Sequence, residues 1–194
     1  GQPTKRLLVE KTKGPGVTSP ILESMPAVDM GSVEELIKFV AWVKERFPAK
    51  RYLIDIWNHG AGWRLRANGD LATPQDVSYD DISRNKITTE QLGPAMARIK
   101  GILGKPVDVL AFDACLMAML EVAAEVSDSV KFMAASQENE PGDGWPYDKI
   151  LWRWARLLDS DGKAAVTAMT EEYVKAYGPG GQFGQRDVTF SGWD

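Results

Sequence analysis

Cysteine and histidine are almost missing from this chain: one of each occurs in 194 residues. A single thiol excludes an internal disulfide and any cysteine-rich zinc site. One imidazole and one thiol leave too few ligands for a transition-metal centre. Basic charge is scarce as well. There are 23 Lys and Arg against 27 Asp and Glu, a net charge of -4, and no basic run of five or more. That balance argues against a nucleic-acid partner. No apolar run reaches 18 residues, so no membrane-spanning segment is expected. No signal-peptide pattern opens the chain. "GQPTKRLLVE" reads like the interior of something longer, and "DVTFSGWD" stops at a strand end, as in a trimmed or processed piece.

What is present fits one soluble domain. The chain is 44% hydrophobic and 26% charged, and long enough to bury a core without crosslinks. Strand character falls on 6–10, 51–57, 106–115, 130–137 and 187–193. Helical spacing falls on 32–46, where Ser32 and Glu35 suggest a capping box and Pro48 a stop. A second box, Thr88 with Gln91, opens "TTEQLGPAMARIK", which Gly93-Pro94 weakens. "LMAMLEVAAEV" reads as a helix beginning directly after Cys115, and 148–158 and 163–177 as two more. Residues 11–31 and 64–87 carry no period and read as loops, the second long and exposed. Continuous apolar strands alternating with helices indicate an α/β domain with a mostly parallel sheet.

Ligands of such sheets bind beyond the carboxyl ends of the strands. Two successive core strands end there in reactive residues: one at His59 in "YLIDIWNHGAGW", the other at Cys115 in "PVDVLAFDAC". A thiol is mostly protonated at neutral pH, and a nearby imidazole can take its proton. A helix starting at Cys115 would favour the anion through its first amides. Gly60 lets backbone approach closely, and its N–H, with that of Cys115, is a candidate oxyanion donor. Either residue alone is more often bland, a buried small hydrophobe or a hydrogen-bonded imidazole. Their pairing at one sheet edge is the stronger signal.

Asp113 shares a strand face with Cys115. A carboxylate there opposes a thiolate and needs another purpose. It orients His59, binds a cationic substrate group, or caps the following helix. Asp143, in "PGDGW", is a second acid on the same side, and two acids make a pocket for guanidinium or ammonium; its bland alternative is a turn residue.

"NHGAGW", "FDACLMAMLEVA" and "ASQENEPGDGWPY", each after a strand and in this order, resemble the clostripain-like cysteine peptidases, relatives of gingipains, legumains and caspases. The resemblance implies a caspase-like three-layer sandwich over 1–194, lacking its first strand. It implies a dyad, with Cys115 as nucleophile and His59 as its proton partner. It implies cleavage of peptide or protein substrates after Arg or Lys, with Asp113 and Asp143 selecting the basic residue. Relatives suggest calcium as a possible cofactor, a secreted or cell-envelope location, and self-cleavage, for which Arg64, Arg66, Arg84 and Lys86 are candidate sites. Two rivals stand beside it. One is a binding module using some of the seven tryptophans (Trp57, Trp63, Trp145, Trp152 and Trp154 among them). The other is a catalytically silent scaffold of the same fold.

Overall fold

The computed structural model describes residues 2–11, 18–62, 76–157 and 161–194. Its centre is a sheet of four strands: β3 (Leu53–Trp57), β6 (Val107–Asp113), β7 (Val130–Ala135) and β8 (Ser191–Trp193), adjacent in that order. β3, β6 and β7 run parallel, and β8 joins β7 antiparallel. Every residue of β6 is buried, as befits a central strand covered on both faces.

The faces follow from alternation. Leu110 and Phe112 of β6, with Ile54 and Ile56 of β3, enter one core with α1 (Val33–Arg46), α2 (Thr89–Leu103) and α3 (Leu120–Val126). Val109 and Ala111 enter the other with α4 (Tyr147–Trp154) and α5 (Gly162–Ala176). Asp113 and Asp55 have the parity of this second face. The result is a sheet between two helical layers.

Several expectations need correction. The loop reading of 11–31 misses β2 (Ile21–Met25), which pairs antiparallel with β1 (Thr4–Leu7). The reading of 64–87 as one exposed loop fails from residue 76 onward. There β4 (Asp76–Asp80) and β5 (Asn85–Thr88) form a hairpin, and Val77 and Ile87 are buried in the first core. Residues 64–75, with Arg64 and Arg66, lie outside the described residues, as does Trp63. These strands are short and get their stability from pairing and from one buried apolar side chain each, so periodicity does not reveal them. Thr88 and Gln91 do form their capping box, with the Thr88 N–H on Gln91 Oε1 at 2.9 Å. Ser32 makes no side-chain cap. α2 runs through Gly93-Pro94 unbroken, and a Cβ on Gly93 would stand 2.7 Å from the Glu125 carbonyl, so the glycine lets α3 pack close.

α3 starts at Leu120, not at 116. Leu116 is left-handed, with φ of 62°, which costs a β-carbon-bearing residue roughly 1 kcal/mol. Its N–H donates to the Glu138 carbonyl, and that of Ala118 to the Ser136 carbonyl. The chain after Cys115 therefore turns sharply and is bonded to the segment after β7. The aromatic-surface reading also loses ground. Trp145 is buried, Trp154 bonds the Ala165 carbonyl, and only Trp57 and Trp152 are largely exposed among those described of the five. Among the described residues no helix is long and apolar enough to cross a membrane.

Candidate active site

The parallel register sets Trp57 opposite Asp113. Two residues further along each chain come His59 and Cys115, at the carboxyl edge of neighbouring strands. Asn58 ties the two turns together. Its N–H donates to the Asp113 carbonyl at 3.3 Å, and its amide Nδ2 donates to the Tyr79 carbonyl of β4 at 3.1 Å. Its Oδ1 accepts the His59 N–H at 2.5 Å, and the His59 side chain is left exposed. Gly60 continues into an isolated bridge with Val77. A Cβ on Gly60 would stand 2.4 Å from the Cys115 carbonyl oxygen. The close approach that demands glycine is thus made by the Cys115 turn itself.

Cys115 is half-buried and unpaired with any other cysteine. Because α3 begins five residues later, a helix N-terminus does not serve its sulfur. The donor found instead is the Glu140 N–H, at 3.3 Å from Sγ. Such a donor favours a sulfur anion in the same way as a helix amide.

Around Asp113 the structure gathers residues that the sequence did not single out. Asp113 is buried. The Tyr147 hydroxyl lies 2.7 Å from its Oδ2 and 2.9 Å from Asp55 Oδ2. The Asp113 N–H donates to Asp55 Oδ1 at 3.2 Å. The Glu140 carboxyl stands beside Asp113, and Trp145 Nε1–H donates to both Glu140 oxygens at 3.2 Å. Burial, then the bond to Asp113, pushes the Glu140 carboxyl up to about 9. Burial pushes Asp55 up to about 6, against the Tyr147 hydroxyl, which acts in the other direction. Burial and the nearby acids raise Tyr147 well above the usual phenol range. Tyr173 is buried on α5, and its hydroxyl has no partner among the described residues. An acid inside the apolar strand "YLIDIW" was the one local signal that could have marked Asp55.

Asp143 stands differently. It is exposed, and its carboxylate pairs with Arg186 at 3.0 Å. Its neighbour Gly144, at φ of 66°, is what approaches Asp113: a Cβ there would stand 3.7 Å from Asp113 Oδ2. The structure therefore joins His59, Gly60, Cys115 and Asp113 through short backbone links, and leaves the Asp143 carboxylate on an internal cation. Among the described residues no group of three or more His, Cys, Asp or Glu side chains is arranged to hold a metal ion.

A curated relative, the clostripain of Hathewaya histolytica, is 35% identical over 132 residues, which is 64% of this chain and 24% of that protein. A secreted C11 cysteine protease from Bacteroides thetaiotaomicron, solved with an irreversible peptide inhibitor, superposes with a TM-score of 0.70 at 21% identity, over 99% of this chain and 52% of its own. An inactive zymogen of a C11 protease from Parabacteroides distasonis gives 0.66 at 21% identity, over 94% and 45%. The chain thus spans about a quarter of the curated relative's length and about half of the solved ones. These structural likenesses bear on the fold, which is the caspase-like sandwich expected. The clostripain family model matches residues 6–194, nearly the whole chain. By that match, the chain belongs to the clostripain family of cysteine peptidases.

Proposed function

We propose that this chain carries the catalytic centre of a cysteine endopeptidase that cleaves after Arg or Lys. The observation that carries this reading is the register of β3 and β6, which ends in His59 and Cys115 with Gly60 pressed against the Cys115 carbonyl.

The chemistry proceeds as follows. The Cys115 thiol proton passes to His59, and the sulfur attacks the carbonyl carbon of the basic residue. The Gly60 and Cys115 amides are the candidate donors to the oxyanion. His59 returns the proton to the amine as the C–N bond breaks. Water then hydrolyses the thioester and regenerates the thiol. The Glu140 N–H steadies the sulfur anion between these steps. Asp113 attracts the substrate cation. Asp143 joins it once that cation displaces Arg186.

Self-cleavage is part of the proposal, in keeping with a relative described as a zymogen. Of the candidate sites, Arg84 is exposed in the β4–β5 turn and Lys86 lies within β5. A secreted location is proposed from relatives described as secreted. The test is hydrolysis of fluorogenic peptides ending in Arg, Lys, Asp or Asn by the full chain and by Cys115→Ala. Cleavage after Arg or Lys is expected, with a loss on the order of 10⁴-fold or more in the variant. Activity that survives in Cys115→Ala sinks the nucleophile, and cleavage after Asp or Asn sinks the specificity.

A further inference from the structure

Asp113 is held by an arrangement that proton counting makes specific. The Tyr147 hydroxyl has one proton and stands within hydrogen-bond distance of two carboxyl groups, Asp113 at 2.7 Å and Asp55 at 2.9 Å. It can donate to only one. The other must bring its own proton and donate to the phenol oxygen, or two lone pairs face each other. The shorter contact is to Asp113, which assigns the hydroxyl proton there; burial pushes Asp55 up to about 6, so Asp55 brings its own proton only as pH falls to that value. The same count applies on the other side. The Glu140 carboxyl stands beside Asp113, and two adjoining carboxyls can hydrogen-bond only when one carries a proton. Glu140 is pushed up to about 9 and is the one protonated at neutral pH. The Tyr147 hydroxyl and the Glu140 carboxyl then both donate toward Asp113.

We propose that Tyr147 and Glu140 are positioning residues that fix the Asp113 carboxylate as the acceptor for the guanidinium or ammonium group before the cleaved bond. This rests on the peptidase reading above. Tyr147 sits at the start of α4, Glu140 in the loop after β7, so two separate elements hold one carboxylate. Each is braced in turn: Tyr147 against the Trp145 ring at 5.8 Å, Glu140 by the Trp145 indole N–H. Glu140 also reaches Cys115 Sγ through its backbone N–H. One residue therefore ties the nucleophile to the acid that reads the substrate. Carboxylates held by two donors lose little orientation freedom when a cation arrives, and such charge-assisted bonds are each worth a tenfold or so in binding.

The test compares Arg with citrulline, its uncharged isostere, at the residue before the cleaved bond. Two readouts are used on the full chain: kcat and KM on peptides, and the rate at which peptidyl chloromethyl ketones label Cys115. The Arg-over-citrulline ratio is expected to fall about tenfold in Tyr147→Phe, chiefly through KM, and to a similar extent in Glu140→Ala. Glu140→Gln still donates a hydrogen bond and is expected to keep most of the preference that Glu140→Ala loses. Thermal melts confirm that each variant is folded. A ratio unchanged in Tyr147→Phe, or equal ratios in Glu140→Gln and Glu140→Ala, overturns the proposal. Labelling reads the pocket without turnover. Wild type that labels with Arg preference but cleaves nothing refutes the cleavage reading alone; wild type that labels without preference refutes the pocket and this proposal together.

Discussion

Strand β6 carries two aspartates with nearly equal burial, Asp108 at 6% exposure and Asp113 at 5%. Their surroundings are opposite. At the amino end, Asp108 meets Lys105 at 2.5 Å, Lys131 at 3.1 Å and the Tyr52 N–H at 3.0 Å. Burial pushes this carboxyl up, but Lys105, the Tyr52 amide and Lys131 together hold it below the usual range. At the carboxyl end, the side-chain partners of Asp113 are Tyr147 and Glu140, and neither is a cation. A buried charge that serves structure is neutralised from within the fold. One whose side-chain partners among the described residues include no cation, set among other acids, remains able to draw a cation from outside. The contrast separates a structural acid from the one proposed to meet substrate on the same strand; the sequence marked Asp113 by its place before Cys115, and the structure shows what sets its surroundings apart from those of Asp108.

The largest expected break in this comparison is functional. Asp113→Asn is expected to lower kcat/KM on an Arg-ended peptide about a hundredfold, because it removes the charge proposed to meet the substrate cation. It is expected to keep or raise stability, since a charge among acids has been removed. A loss of stability with unchanged selectivity would reverse the roles. The next effect is on stability. Asp108→Ala removes the carboxylate shared by two lysines and the Tyr52 N–H, leaving Lys105 its Lys50 carbonyl, and is expected to cost about 2 kcal/mol in urea denaturation. Its Arg-over-citrulline ratio is expected to match wild type.

The smallest effect sharpens the contrast through pH. Glu140 rises from 4.5 to about 9 and Asp55 from 3.8 to about 6, so the folded chain holds these protons more tightly than the unfolded chain. Their contribution to stability is fully present below the unfolded values and is withdrawn as pH rises through 6 and toward 9. Asp108 behaves oppositely, and its contribution is lost only as pH falls through its depressed folded value. Melting temperature against pH is expected to decline on the alkaline side in wild type. Glu140→Gln, which cannot ionise, is expected to flatten that decline; an unchanged slope would remove Glu140 as its source.

Much of the frame was legible before any coordinates. The apolar runs 51–57, 106–115 and 130–137 became β3, β6 and β7, and the spacing of 32–46 became α1. The edge that carries His59 and Cys115 followed from strand direction. The hairpin over 76–88 was illegible because short polar strands depend on their partners. The helix start after Cys115 was misread for a related reason. "LMAMLEVAAEV" has helical spacing, but Leu116 is left-handed, and its amide and that of Ala118 go to Glu138 and Ser136 instead.

By itself, then, the sequence determined the class of fold, the order of its core elements, and which strand ends carry the only imidazole and the only thiol. Those features depend on periodicity within ten or fifteen residues and on the direction a strand must run. Only the tertiary structure decided what surrounds them: the Glu140 amide on the Cys115 sulfur, the Tyr147 hydroxyl between Asp55 and Asp113, and Arg186 on Asp143. These bonds join residues from 25 to 92 positions apart. Hydrogen bonds of under 3.5 Å between such distant groups are set by strand register and loop packing, which no local pattern encodes.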